Sequence, residues 1–141
     1  MFHVGLLINV FSLLCAIFAL WKGGIAERYV ALVVVANVVI GQSAQWIAPN
    51  SGEFNHLIID GLTALILMGI TLRYTALWMG GVMLFFAAQF SLHSYYLVTE
   101  RPIDYLYALI NNIDFLGIIW SLIIGTIVAW RRRARAVPSP S

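Results

Sequence analysis

Three pairs of polar residues stand inside long apolar stretches of this chain, and each pair is spaced by one turn of an α-helix. Side chains three or four residues apart lie one above the other on the same side of a helix. Carboxylates and imidazoles can transfer protons or bind metal ions, and amides can hydrogen-bond a polar ligand. The pairs are His56 with Asp60, Gln89 with His93, and Asn111 with Asp114.

The elements that carry these pairs are membrane-spanning helices. Only 10% of the 141 residues are charged and 62% are hydrophobic, whereas soluble domains are about 25% charged. The apolar residues form blocks of about twenty, the length of a helix that crosses a bilayer. We therefore predict an all-α, polytopic transmembrane helical bundle over residues 1–130, followed by a basic, disordered cytoplasmic tail over 131–141.

The sequence predicts five spans, and their limits are set by turn-forming or charged residues. An alternative has four spans, with the first or last block lying along the membrane surface as an interfacial helix. The predicted spans are Phe2–Trp21, Tyr29–Ile47, His56–Leu72, Ala76–Val98 and Ile103–Trp130.

Basic residues predict the orientation of the bundle, because loops on the inner side of a membrane are enriched in Lys and Arg. With five spans and the C-terminus inside, only Arg101 falls on the outer side. The same signal accounts for the net charge of +2 and favours a lipid bilayer, not nucleic acid, as the partner. The inner residues are Lys22, Arg28, Arg73, Arg131, Arg132, Arg133 and Arg135.

The three polar pairs are predicted to lie at one depth. At 1.5 Å per residue, five of the six residues stand about 20–25 Å above the inner ends of their helices, within the outer third of a hydrocarbon slab of about 30 Å; these five are His56, Asp60, Gln89, His93 and Asp114. An ionisable side chain facing lipid there costs about 2.5–3.5 kcal/mol, so we expect an inward-facing polar layer open to the outer side. Its second-rank members are Asn37, Gln42 and Gln45.

Two interpretations of this polar layer remain open. Buried amides and histidines often hold helices together, at about 0.6 kcal/mol each. The layer also contains Asp60 and Asp114, however, and buried carboxylates must be paired, protonated or hydrated, which favours a pocket that binds a ligand. A separate stripe of small residues predicts close helix packing and consists of Gly117, Ser121 and Gly125.

Specific chemistries find little support in the sequence. His56 and His93 lie at the same level and could hold haem or another metal, but no HxxxH or CxxCH pattern accompanies them. The inner half of the spans lacks the polar path that a proton-coupled transporter needs. No hydrolase, protease or phosphate-binding motif is present, so we predict that the protein is not an enzyme.

Three segments resemble a family of small multi-pass inner-membrane proteins of alphaproteobacteria that has no assigned activity. They are "GGIAERYVAL" (Gly23–Leu32), "IDGLTALILMGITLRYTALWMGGVMLF" (Ile59–Phe85) and "AQFSLHS" (Ala88–Ser94), and they cover about a third of the chain. The resemblance implies a bacterial inner membrane. In such a membrane, the orientation predicted from the basic residues gives a periplasmic N-terminus and a cytoplasmic C-terminus. It also implies five positions of interest, which are Glu27, Arg28, Asp60, Arg73 and His93.

Two functions are compatible with these features. The first is an accessory, assembly or interaction subunit of a membrane complex, with other membrane proteins or a second copy of the chain as its partner. The alternative is a membrane carrier or sensor that binds a small ligand, a proton or a metal in the polar layer. Since the chain has no predicted soluble domain, either function must use the helices and their short connections.

Overall fold

Within its described part, the chain folds into five α-helices joined by short connections. The computed structural model describes the backbone of residues 2–47 and 52–136, and the side chains of residues 7–43, 47 and 54–136. This confirms the predicted all-helical bundle. The helices are α1 (Phe2–Lys22), α2 (Ile25–Ile47), α3 (Gly52–Tyr74), α4 (Leu77–Val98) and α5 (Tyr105–Ala136).

The helices have the length and surface of membrane spans. Four of them, α2 to α5, are long and apolar enough to cross a membrane, and the apolar described part of α1, Leu7–Lys22, is shorter. Large apolar side chains such as Leu65, Leu84 and Ile124 are more than half exposed on the outside of the bundle. A hydrocarbon environment covers such a surface without cost, whereas soluble proteins rarely expose large continuous apolar areas.

The five helices form a closed ring. Each helix packs against its neighbour in the chain, α1 packs against α5 to close the ring, and α2 also contacts α5 across the interior. Ala16, Val34, Phe86 and Ile118 are among the fully buried residues that fill the space between them. The interior is therefore bounded on all sides by helices.

Helix α1 runs parallel to α5 and belongs to the bundle. Near one end, Arg133 donates a hydrogen bond to the backbone carbonyl of Lys22, and the Lys22 ammonium lies 5.4 Å from the ring centre of Trp130. Further along, the rings of Phe11 and Trp120 are 6.4 Å apart. Because these contacts follow both helices in the same direction, α1 does not lie flat across the bundle surface.

The basic residues meet at one end of the bundle, which we call the basic end. Lys22 and Arg133 are in contact there. The rings of Tyr29 and Tyr74 lie 6.2 Å apart, which places the beginning of α2 beside the end of α3. It follows that the basic end carries all seven Lys and Arg residues that the sequence assigns to one side.

Helix α2 begins at Ile25, four residues before the predicted start of the second span. The reason is a local cap: the Glu27 carboxylate accepts a hydrogen bond from the backbone N–H of Gly24 at 2.9 Å. A carboxylate in the first turn also interacts favourably with the helix dipole. The role of Glu27 in the structure is thus to begin a helix.

Helix α5 continues to Ala136, six residues beyond Trp130. This corrects the prediction of a disordered tail from Arg131 onward, as far as Ala136. Arg and Ala are good helix formers, and the first residue able to stop the helix is Pro138, which disfavours helical geometry at the residue before it. Residues 137–141 lie outside the described residues.

The predicted stripe of small residues packs within the chain, against α4. A Cβ atom added at Gly117 would lie 2.5 Å from the Phe85 ring, and one added at Gly125 would lie 2.4 Å from the Trp78 ring. Ser121 faces Gly81 and donates its hydroxyl to the carbonyl of Gly117. The stripe allows aromatic rings of α4 to lie directly against the α5 backbone.

Candidate functional site

A buried pair of ionisable side chains joins α3 to α4. Asp60 Oδ2 and His93 Nδ1 are 2.5 Å apart, and the two residues are only 3% and 4% exposed. Neither atom has another hydrogen-bond partner among the described side chains. Since the penalty for burying a lone charge is several kcal/mol, facing each other lowers the cost of burying these two groups.

Amide side chains extend this pair to two further helices. On one side, Asn37 of α2 donates to Asp60 Oδ1 at 3.2 Å and to the hydroxyl of Thr63 at 3.0 Å. On the other side, Asn111 Oδ1 of α5 lies 3.2 Å from His93 Nε2 and accepts a hydrogen bond from Gln89 at 3.0 Å. The result is one network across α2, α3, α4 and α5.

Aromatic rings enclose His93 within this network. The Tyr107 ring of α5 stacks on the imidazole with the ring centroids 5.5 Å apart. The centroid of the His56 ring, which belongs to α3, lies 5.9 Å from that of His93. Tyr96 in turn meets Tyr107 edge-on at 4.9 Å. These contacts hold the imidazole in one orientation.

The network borders a cavity of about 370 Å³. Its polar lining includes Asp60 and His93, and its apolar wall includes Ile8, Ile59 and Phe115. The lining residues come from the beginning of α1, α3 and α5 and from the end of α2 and α4. In a ring of alternating helices those positions share one end, so the cavity lies at the end of the bundle opposite the basic end.

Five of the six residues in the predicted polar layer line this cavity: His56, Asp60, Gln89, His93 and Asn111. The sixth, Asp114, is buried at 7% exposure but lies outside the cavity lining. One of its carboxylate oxygens, Oδ2, has no hydrogen-bond partner among the described residues. Asp114 lies three residues further along α5 than Asn111, which places it deeper in the bundle.

The second-rank members of the layer have different positions. Asn37 and Gln42 both line the cavity, whereas the side chain of Gln45 lies outside the described residues. Tyr107 and Thr63 were missed by the sequence-based prediction. The spacing held a signal for each, because Tyr107 is four residues before Asn111 and Thr63 is three after Asp60, and each therefore shares a helical side with a predicted member.

Comparison of the chain with known protein families, curated proteins and solved structures gave no significant match. The chemistry of the cavity must therefore be inferred from its own residues.

The sequence makes His56 and His93 candidate ligands for haem or another metal. Within the described part of the chain, no three His, Cys, Asp or Glu side chains come together in a group that could hold a metal ion. Both ring nitrogens of His93 already face other side chains, Asp60 and Asn111. Binding of haem or a metal through this histidine would require one of those contacts to break.

A second polar cluster lies beside the cavity, where α4 turns into α5. The Asp104 carboxylate accepts hydrogen bonds from the backbone N–H of Tyr107 at 2.8 Å and from the Tyr96 hydroxyl at 2.7 Å. These two bonds, the backbone bond first, hold the pKa of Asp104 below its ordinary value of 3.8. Asp104 caps α5 and so positions the turn that carries Tyr107.

Proposed function

We propose that this protein is a multi-pass protein of a bacterial inner membrane that binds a small, uncharged polar molecule in the cavity. The observation that carries the proposal is a cavity of about 370 Å³ lined by an internally paired carboxylate and several amides. Ligand sites in proteins commonly have volumes of about 300–1,000 Å³ and combine apolar walls with a few placed polar groups. The cavity therefore suits a molecule with one apolar side and one hydrogen-bonding side.

The lining favours a ligand without net charge. Asp60 faces His93, so the carboxylate and the imidazole already have each other as partners without a ligand. A neutral donor remains available in the lining: the amide nitrogen of Asn111 is not used in the network. Other lining amides, those of Gln42 and Asn112, can both donate and accept hydrogen bonds.

Packing within the chain supports a binder over an interaction subunit. The small-residue stripe, which could have received a helix of another protein, is covered by Phe85 and Trp78 of the same chain. The accessory or assembly function would need a different surface, whereas the cavity is already formed.

The charges suggest the direction in which the cavity opens. Because basic loops remain on the cytoplasmic side of the inner membrane, we place the basic end in the cytoplasm. The C-terminus is then cytoplasmic, the N-terminus periplasmic, and the cavity opens toward the periplasm. A ligand would arrive from the periplasm or from the outer leaflet.

The experiment uses four compounds of similar size that differ in charge and polarity: benzamide, benzoate, benzamidinium and toluene. Binding to the purified full chain in lipid nanodiscs is measured by saturation-transfer NMR and by the shift in thermal unfolding midpoint. We expect benzamide to bind more tightly than the other three. Binding of benzamidinium alone, or of none of the four, would overturn the proposal.

Variants locate the binding in the cavity. Asn111→Leu removes amide hydrogen bonds and is expected to weaken benzamide binding by about fivefold, the equivalent of one net hydrogen bond of about 1 kcal/mol. Ile59→Phe fills part of the cavity without altering the network and provides a second test if Asn111→Leu folds poorly. Ser91→Ala, on the exposed side of α4, serves as the control and should bind like the unaltered protein.

A further inference from the structure

The hydrogen bonds around His93 determine which of its ring nitrogens carry protons. Asn111 Oδ1 accepts the hydrogen bond from Gln89, and an oxygen that faces His93 Nε2 can only accept there as well. His93 Nε2 must then be an N–H donor. His93 Nδ1 faces a carboxylate oxygen at 2.5 Å and is a donor too. An imidazole that donates from both nitrogens is the protonated, positively charged form.

The same side chains permit a second arrangement. If the amides of Asn111 and Gln89 turn over together, Asn111 Nδ2 donates both to His93 Nε2 and to Gln89 Oε1. His93 then accepts at Nε2, keeps one proton at Nδ1 for Asp60, and is neutral. The side chains keep their positions while the oxygen and nitrogen of each amide exchange places, so the Gln89 oxygen gains a donor and its NH₂ group takes the buried position that has no partner.

The two arrangements present different atoms to the cavity. With His93 protonated, both contacts of Asn111 use its oxygen, so the NH₂ group, a pure donor, is what this lining residue can offer a ligand. With His93 neutral, the NH₂ group is used in the network, and the carbonyl oxygen, a pure acceptor, remains for the ligand. A ligand that accepts a hydrogen bond there binds the first arrangement, and a ligand that donates one binds the second.

We propose that His93 is a proton-binding site coupled to the cavity, and that a ligand carrying a carbonyl acceptor binds together with a proton on His93. The proposal rests on the proposed function, because it names the ligand's chemistry in the same cavity. Ligand binding and protonation are then linked reciprocally. If protonation of His93 raises the affinity for the ligand by a given factor, binding of the ligand raises the proton affinity of His93 by the same factor. The protein would thus take up its ligand and a proton together from the outer side.

Titratable side chains of two neighbouring helices lie around His93. They are Asp60 and His56 on α3, and Tyr107 and Asp114 on α5.

The proton site can be tested without any ligand. Nitrogen NMR of histidine-labelled protein in nanodiscs distinguishes a ring with two N–H groups from a ring with one, and is recorded from about pH 5 to pH 9, across the usual range of histidine. We expect His93 to change from two N–H groups to one, and the side-chain amide signals of Asn111 and Gln89 to change at the same midpoint. The proposal is wrong if His93 keeps one protonation state throughout, or if the amide signals do not follow it.

Two variants assign the signals and test the cause. His56→Gln removes the second ring near the site, so the histidine signals that remain near the cavity belong to His93. Asp60→Asn removes the carboxylate and should leave His93 with one N–H at every pH in the range. A His93 that still gains its second proton in Asp60→Asn at the same midpoint would overturn the assigned role of the pair.

A ligand titration separates this proposal from the proposed function. Acetophenone accepts hydrogen bonds through its carbonyl but cannot donate one. We expect its affinity to fall by about fivefold, one net hydrogen bond, when the pH is raised through the His93 midpoint. Equal acetophenone affinity on both sides of that midpoint overturns the coupling while the proposed function stands. A normal His93 titration with no binding of either acetophenone or benzamide overturns the proposed function and, with it, the ligand half of this inference.

Discussion

The Asp60–His93 pair provides the most direct test of the structure. Asp60→Asn and His93→Gln each remove one charge while keeping a side chain of similar size that can hydrogen-bond. The double variant removes both. The structure predicts that the two single effects on the free energy of unfolding are far from additive, because His93→Gln leaves the Asp60 carboxylate buried without its partner and the double variant does not.

The magnitudes follow from burial. Both residues are almost fully buried and face each other at 2.5 Å, and removing one partner of such a pair costs about 3–5 kcal/mol. In the double variant the loss is limited to interhelical hydrogen bonds at about 0.6 kcal/mol each, or about 1–2 kcal/mol in total. His93→Gln should therefore be less stable than the double variant. Asp60→Asn leaves an imidazole that can give up its proton, so that variant should lose only about 1–2 kcal/mol, and the coupling energy should be about 3–5 kcal/mol.

The assay is reversible unfolding in mixed micelles, followed by the fluorescence of the five tryptophans. Ser43→Ala and Ser91→Ala form a control cycle, because both exposed hydroxyls bond only to their own helices, and these effects should add. If the Asp60 and His93 effects also add, the two side chains do not form the pair described here, and both the network and the proton site lose their basis.

Three further predictions test packing, capping and orientation. Gly125→Ala places a methyl group against an aromatic ring of α4 and should destabilise the protein by about 1–3 kcal/mol, whereas Gly80→Ala, which faces open space, should not; denaturation of both variants measures this. Asp104→Asn should lower the thermal unfolding midpoint at neutral pH. Because the folded pKa of this carboxyl is depressed, its contribution is present above the unfolded pKa and is lost as the pH falls through the folded value, so the two proteins should converge in acid. With the native cysteine replaced by alanine, a membrane-impermeant thiol reagent applied to intact cells should label Thr99→Cys and not Arg135→Cys; the reverse pattern would invert the orientation.

Much of the site could be predicted from helical spacing and depth. His56, Asp60 and His93 are polar residues at similar heights in apolar spans. Because an ionisable side chain that faces lipid there is unfavourable in free energy, the sequence predicts that they face the interior of the bundle. All three residues line the cavity. The periodicity of a helix is regular enough for this kind of inference to hold across different spans.

The partners of each group could not be predicted in the same way. Asp60 and Asp114 look equivalent in the sequence, yet one lines the cavity beside His93 and the other lies buried outside the cavity lining. Tyr107 was missed because aromatic residues are common in spans and its position only gains meaning once α4 lies against α5. Which residues meet depends on the rotation of each helix about its own axis, which only the packing determines.

The amino-acid sequence by itself determined that this protein is a bundle of long apolar helices with its basic residues at one end and its buried polar residues near the other. Those properties depend on composition and on distance along a helix, which are local. The tertiary structure alone decided that Asp60 pairs with His93, that Asn111 completes the network, and that a cavity remains beside them. Such contacts join helices distant in the chain, and the small-residue stripe, by admitting Phe85 and Trp78, sets how closely α4 and α5 approach.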